Sequence, residues 1–465
     1  MEWIKVLPPL VAIFMVVWKK DVILALLLAI FASEFLLLLS PETAADQSGA
    51  ISAVFLGMLQ TLERIVEVFT DAGNTRILVF SAIIGSLLAY MRVSGGVHGL
   101  VNNIVNKGYA KSPRQVTLLT SFTGVVVFVE SNLSVLTAGI LSRGLFDKFK
   151  LSRAKLAYII DSTSAPICIL ILLNAWGAYV LALMNSYEFE QTAAEIVWGT
   201  IPFNFYALVT LVIVFYTAFT NKYFGPLARS EFKPVEHLDE APEEEHGQAR
   251  YMLIPLATMV LGMVGFMLWT GDGDIAKGSG SKSVLYATSL ACLVAYLMMI
   301  TGKKFTHKQL VKIGFDGLSE LLPLVSILLL SLALGASLKV LGTGIYISQL
   351  VGDYLPLILI TPMIFVVGAL ISFSTGTSWG TFAILIPIAV PIIQSLGMPP
   401  SLVLAAVLGG GVFGDHCSPI SDTTAVSSIA SGCDLLEHVR TQLPYALFVG
   451  AITIVMYLIA GMVML

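Results

Sequence analysis

The chain has 465 residues, 57% hydrophobic and 12% charged, with a mean hydropathy of +0.87. That excludes an ordinary soluble domain and leaves a polytopic α-helical membrane protein, since many segments reach the roughly 20 apolar residues needed to span a bilayer. A net charge of −4 with no basic stripe gives no footing for a nucleic-acid partner.

The N-terminus MEWIKVLPPLVAIF lacks a basic leader region and a small-residue cleavage site, so it reads as a first span and not a removed signal. Residues 3–18 and 22–39 are two apolar segments. Lys19 and Lys20 lie between them and the Lys/Arg-free stretch PETAADQSG follows, so charge bias puts 19–20 in the cytoplasm and 40–50 outside. Glu34 reads as a packing or snorkelling residue. Residues 51–70 carry Glu63, Arg64 and Glu67 at helical spacing and predict an amphipathic helix on the outer interface.

Residues 75–90 then cross inward to a loop with Arg92, Lys107, Lys111 and Arg114. Residues 116–145 are apolar on both sides of the polar tip ESN, 130–132, and a second basic cluster follows at Lys148, Lys150, Arg153 and Lys155. Both ends are expected on the cytoplasmic side, which makes the segment a re-entrant hairpin, a shape tolerated only where protein or water covers its backbone. Residues 156–183 cross outward through DSTSAPIC, 161–168, which is expected to break the helix, and 196–220 return.

Residues 221–250 form a polar cytoplasmic linker, and 251–270 and 283–300 are two connecting spans joined by GDGDIAKGSGSK, whose DGD lacks the other ligands of a calcium loop. Residues 306–320 read as a second amphipathic piece and 321–338 as a span outward. Residues 356–396 form a hairpin with the tip STGTSWGT, 374–381, entered from outside. Residues 401–429 carry GDHCSPISDTT, 414–424, inward, and 443–465 close the chain. The four cysteines, Cys168, Cys292, Cys417 and Cys433, fall in or beside apolar segments without zinc spacing and read as packing residues.

Gly95 and Gly342 stand 247 residues apart, Asn132 and Thr377 245, and Pro166 and Pro419 253. Near-constant offsets with opposite charge bias predict an all-α polytopic membrane protein built from two inverted-topology repeats, each with a re-entrant hairpin and a broken transmembrane helix. Residues 1–50 would be N-terminal scaffold spans, 51–220 the first repeat, 221–250 the linker, 251–300 connecting scaffold spans and 301–465 the second repeat.

The run GDHCSPISDTT puts two aspartates, a histidine and four hydroxyls between apolar segments. An ionisable group at bilayer depth costs at least about 2.5 to 3.5 kcal/mol and faces a bundle interior or a solvated cavity. Pro419 has no N–H and frees helix carbonyls. The plain alternative is a polar cytoplasmic loop; the second copy at 161–168 argues against it. The candidate cation- or proton-binding groups are the carboxylates Asp415, Asp161, Asp422 and Glu130, the tip residue Asn132, and the oxygens of Ser164, Thr375, Thr377, Ser418, Ser421, Thr423 and Thr424. Na+ is expected at Asp415, Ser418, Thr375 and Thr377. Asp415, then Asp161, is the first choice for a carboxylate on which Na+ and H+ compete, because burial favours the protonated form and a bound cation the ionised one.

Glu130 and Asp422 either join that site or pair structurally. His416 either senses pH and relays protons or is a satisfied packing residue, and Trp379 is an aromatic wall or simple packing. Residues 376–380 also fit G-x-S-x-G, the nucleophile elbow of hydrolases. That motif needs a strand-to-helix turn and a His/acid partner, neither of which is expected here. The chain is therefore read as no enzyme, with an intramembrane hydrolase as the remote alternative.

GDHCSPISDTT, the following SGCD at 431–434, HVRTQLPYAL at 438–447 and the tip STGTSWGTF at 374–382 closely resemble the NhaC-type Na+/H+ antiporter family. The resemblance covers essentially the whole membrane portion, with its most specific motifs in the second half. It implies the ion-transporter superfamily architecture: a scaffold that commonly forms a homodimer, and a transport domain that moves by an elevator-like step. It also implies a multi-pass protein of a bacterial cytoplasmic membrane, with Na+ and H+ as transported or coupling ions and no cofactor. Similar proteins include Na+/H+ antiporters, malate/lactate exchangers and amino-acid transporters. Na+/H+ antiport is thus the first expectation and Na+-coupled transport of a small carboxylate or amino acid the second.

Overall fold

The computed structural model describes residues 2–39, 49–96, 99, 111–128, 130–172, 174–232, 248–274, 278–303 and 305–464. Residues 41–48, Lys107 and residues 233–247 of the 221–250 linker lie outside the described residues.

Apolar runs of this length satisfy their backbone only as helices, and the described chain is helical throughout. Helices α1 (Leu7–Lys19) and α2 (Val22–Leu38) are joined by a tight turn, and the Asp21 carboxylate accepts from Leu24 N at 3.0 Å to cap α2. Then come α3 (Gly49–Glu67) and α4 (Ala72–Val93). Helices α5 (Pro113–Val126) and α6 (Ser131–Lys148) form the first hairpin. Helices α7 (Arg153–Leu170) and α8 (Ala175–Asn185) meet at 41°. The short α9 (Ala193–Gly199) leads through a 3-10 turn into α10 (Phe205–Thr220). Helices α11 (Arg250–Thr270) and α12 (Gly280–Thr301) follow, then α13 (His307–Leu341) and α14 (Thr343–Tyr354). Helices α15 (Leu357–Thr375) and α16 (Ser378–Leu396) form the second hairpin. The chain ends with α17 (Pro400–Cys417), α18 (Asp422–Ser431) and α19 (Leu435–Met464).

Among the described residues nine helices are long and apolar enough to cross a membrane, ten if the bent pair α7–α8 counts as one. The chain is an all-helical, multi-pass membrane protein. Each arm of the second hairpin is itself long enough to cross. Helices α2, α4, α11, α12 and α13 pack on one another. In the rest of the molecule α15 and α16 pack on α17, α5 and α7 on α6, and α18 lies against both α6 and α7, so the second broken helix is seated on the first hairpin.

Four expectations change. The segment 161–168 does not break its helix: α7 runs through it with Pro166 inside. Hydroxyls of Thr163 and Ser164 bond the carbonyls of Ile159 (2.8 Å) and Asp161 (3.1 Å), supporting the turn that the proline weakens. The break falls between Leu170 and Ala175, where the Asn174 amide donates to Cys168 O (2.8 Å) and Phe128 O (2.9 Å) and its Oδ1 caps Gly177 N (3.0 Å). Residues 306–320 are no separate amphipathic piece. They are the first half of the 35-residue α13, and Gly317 lies so close to Gly85 of α4 that a Cβ on Gly85 would sit 2.2 Å from Gly317 O. The return 196–220 is interrupted near Pro202: α9 and a 3-10 turn precede α10, and the candidate span begins at Phe205. Finally, α19 starts at Leu435, eight residues before the expected last span at 443–465.

Glu34 of α2 is buried, accepting from Arg64 Nε of α3 (2.7 Å) and from the Ser337 hydroxyl of α13 (2.7 Å). A Glu34→Ala protein leaves Arg64 only the exposed Glu67. The thermal midpoint in detergent should fall by the equivalent of about 1–3 kcal/mol, below the fully buried case because Arg64 keeps some solvent contact. An unchanged midpoint would mean the pair contributes nothing to holding α2, α3 and α13 together.

Candidate functional site

Asp415 lies in the last turn of α17 and is 2% exposed. The helix stops at the 418–421 break, where Pro419 cannot continue it, and Ser421 restarts it by capping α18 through Thr424 N. Both oxygens of Asp415 are held. Ser378, the first residue of α16, donates its hydroxyl to Oδ2 at 2.6 Å and its N–H at 3.3 Å, and the Ser421 hydroxyl donates to Oδ1 at 2.6 Å. Two helix N-termini thus converge on one carboxylate, the end of a helix that favours negative charge. Each hydroxyl keeps lone pairs that a cation can use.

Close helix approach builds this arrangement. A Cβ on Gly414 would sit 2.2 Å from Ala369 O, so only glycine lets α17 lie this near α15. Gly376, at φ +69°, turns the second hairpin and presses against Ile420 O of the break.

A cavity of about 400 Å³ reaches Thr377 and Asp422, the sequence neighbours of the two serines on Asp415, while Asp415 itself is not part of its lining. Its lining comes from the first hairpin tip (Glu130, Asn132), the start of α8 (Ala175), the second hairpin tip (Thr377, Trp379) and the start of α18 (Asp422). The opposite wall is α4 and α13, where Arg92 and Glu320 form a bidentate pair at 2.6 and 3.1 Å. Glu130 caps α6, accepting from Asn132 N (3.0 Å) and Leu133 N (2.7 Å), and Asp422 accepts from Thr423 N (2.9 Å) with the Asn132 side chain beside it. Trp379 leans on Trp176, ring centroids 5.1 Å apart.

The remaining sequence-predicted residues divide. Thr423 Oγ1 meets Ser421 Oγ at 2.9 Å and Thr424 is tied to Ser421 through its N–H. Ser418 and Thr375 turn to backbone carbonyls, Phe373 O at 2.8 Å and Ser372 O at 3.3 Å, so the hydroxyls on Asp415 are those of Ser378 and Ser421. Asp161 and Ser164 are not on the cavity, because the unbroken α7 carries them into the core. There Asp161 Oδ2 accepts from Gln442 Nε2 (2.6 Å) and meets His438 Nε2 (3.1 Å). His416 has a hydroxyl on each ring nitrogen, Tyr206 at 2.8 Å and Ser162 at 3.2 Å, the environment of a satisfied packing histidine.

Ser378 opens α16 after a helix-to-helix turn and bonds a carboxylate and Gly411 O (3.2 Å), which removes the nucleophile-elbow reading. Sequence reasoning weighed Ser378 only as a nucleophile and passed over His438 and Gln442. Their four-residue spacing was the available signal.

The Na+/H+ antiporter family model matches residues 167–462, a stretch that holds Ser378, Asp415 and Asp422 but not Glu130 or Asp161. An uncharacterized protein of Haemophilus influenzae is 32% identical over 414 residues, covering 83% of this chain and 79% of that one. The arginine/ornithine antiporter ArcD of Halobacterium salinarum is 32% identical over 244 residues, 50% of this chain and 46% of its own length. In fold the chain is similar to the Alcanivorax borkumensis YdaH transporter, with a TM-score of 0.62 over 96% of this chain and 97% of that one at 15% identity. A helical membrane chain with a buried carboxylate at a helix break and this family match is a secondary transporter, and it belongs to the Na+/H+ antiporter family.

Proposed function

We propose that the protein exchanges Na+ for H+ across a bacterial cytoplasmic membrane, with Na+ bound at Asp415. The observation that carries this reading is the Asp415 carboxylate itself: buried, at a helix break and held by the hydroxyls of Ser378 and Ser421, whose sequence neighbours Thr377 and Asp422 line a cavity that also carries Glu130. Na+ enters past Asp422 and Glu130, whose charge concentrates cations at the mouth. It exchanges the hydroxyl hydrogen bonds on Asp415 for coordination by Asp415 and the oxygens of Ser378, Ser421 and Thr423.

The order hairpin, aspartate-bearing helix, break occurs twice, in α5–α8 and α15–α18, and supports two inverted repeats, 51–220 and 301–465, with re-entrant hairpins. Residues 1–50 and 251–300 are then scaffold and 221–250 a cytoplasmic linker. The hairpins and broken helices move against that scaffold in an elevator-like step, within a homodimer.

Ser378→Ala and Ser421→Ala should each raise the Na+ concentration for half-maximal exchange roughly 10- to 100-fold, the worth of a hydrogen bond to a charged group, in liposomes with an internal pH dye. Wild-type Na+ dependence in both would remove Na+ from Asp415.

A second reading, Na+-coupled transport of a small carboxylate or amino acid, is favoured by the cavity alone. Its volume is that of a small-molecule pocket, and it offers an arginine, carboxylates and Trp379. One relative is named as an arginine/ornithine antiporter.

A further inference from the structure

Asp161, His438 and Gln442 form a second polar cluster, 0%, 0% and 1% exposed, that the cavity at Thr377 and Asp422 does not reach. Helix α19 places His438 and Gln442 one turn apart, both on Asp161 Oδ2. Gln442 Nε2 also donates to His416 O at 2.7 Å, a carbonyl in the last turn of α17 next to Asp415. One amide nitrogen therefore ties Asp161 to the backbone of the Na+ site.

The cluster is short of protons. Asp161 Oδ1, Gln442 Oε1 and His438 Nδ1 have no hydrogen-bond partner among the described residues. The first two are acceptors, and the third is one whenever the ring proton sits on Nε2 facing the carboxylate. Buried acceptors without donors are costly, and an added proton has acceptors to meet here. The titratable groups acting on Asp161 are His416, Cys417 and Asp415 of α17, His438 of α19, Tyr206 of α10 and Asp422 of α18, and only the two histidines can become positive.

Two separate cavities lie near the two clusters, and neither is lined by Asp415, Asp161 or His438. A polar cavity of about 560 Å³, lined by Arg229, Glu231, Asp434, Glu437, Arg440 and Thr441, lies along the first turns of α19, on a face next to the fully buried His438. It shares no lining residue with the cavity at Thr377 and Asp422.

We propose that Asp161 is the proton carrier of the exchange, loaded through His438 and separate from the Na+ site. His438 takes a proton from water on the Asp434/Arg440 side and passes it to the ionised Asp161 carboxylate. The proton leaves Asp161 as a proton, with no other bond changed. This rests on the reading of Asp415 as the Na+ site and replaces competition on one carboxylate by coupling through Gln442. Protonated Asp161 is a weaker acceptor for Gln442, which loosens the hold on His416 O beside Asp415.

The test uses the purified full chain in liposomes and two readouts across about pH 6 to 9: radioactive Na+ counterflow and Na+-driven proton flux. Asp161→Asn should lose proton flux at least about tenfold yet retain counterflow, with a Na+ affinity that no longer varies with pH. His438→Gln, which keeps an N–H for Oδ2 but cannot take up a proton, should retain counterflow and slow proton flux at least about tenfold, and wild-type proton flux in it would remove His438 from the route. Wild-type proton flux and pH profile in Asp161→Asn would overturn the proposal. So would loss of counterflow together with proton flux, because Asp161 would then belong to the Na+ site or the fold. Neither flux in the wild type would remove the Na+ reading itself, and the proton site with it.

Discussion

An Asp415→Asn protein should fold and lose Na+-driven proton exchange. Asparagine keeps the side-chain shape and can still pair with the Ser378 and Ser421 hydroxyls, so the packing of α16, α17 and α18 survives. What disappears is the negative charge opposite a desolvated cation. Removing one member of a buried charge pair costs about 2–5 kcal/mol, roughly 30- to several-thousand-fold in affinity. Initial rates in liposomes together with a thermal midpoint in detergent measure both halves. Near-normal midpoint with exchange close to zero is the expected pair, and exchange within about twofold of wild type would place the ion elsewhere.

Gly414→Val should lose both exchange and stability. The new Cβ would meet Ala369 O at 2.2 Å and Phe373 N at 2.6 Å, both backbone atoms that cannot rotate away. Helix α17 must retreat from α15, at a cost of about 1–3 kcal/mol or more for an overpacked contact. The retreat also moves Asp415 off Ser378, because Asp415 is the next residue along α17. Gly144→Ala is the matched control: it lies inside α6 with nothing within 4 Å of the added Cβ. It should be neutral, or stabilising by up to about 1 kcal/mol, the helix preference of alanine over glycine. A Gly414→Val protein with the midpoint and exchange of wild type would refute the close crossing of α15 and α17.

How far the site could be read from the chain depended on whether a local signal or a distance between helices decided the matter. The second helix break was legible, because Pro419 and the capping Ser421 are local signals that no neighbour overrides. The first was not. Pro166 carries the same local signal, yet hydroxyl bonds from Thr163 and Ser164 support the helix through it, and the break waits for a lone asparagine four residues past Leu170. Asp415 stood out as an acid among apolar residues, but which hydroxyls meet it was hidden. Ser418 is nearer in sequence than Ser378, yet the crossing permitted by Gly414 brings Ser378 to Oδ2 and turns Ser418 to Phe373 O. His438 was hidden by its setting. The expected last span began only at residue 443, whereas α19 begins at Leu435, so the one-turn spacing of His438 and Gln442 went unused.

The most direct test of Na+/H+ exchange at Asp415 is a cation jump on purified protein in liposomes with an internal pH dye. Na+, Li+ or K+ is added outside without any organic solute, and wild type is compared with Asp415→Asn. Proton efflux on adding Na+ to the wild type, absent from the variant, is the predicted result. No response to any cation, combined with Na+-dependent uptake of a labelled amino acid or dicarboxylate, would contradict it and make Asp415 a coupling-ion site for an organic substrate.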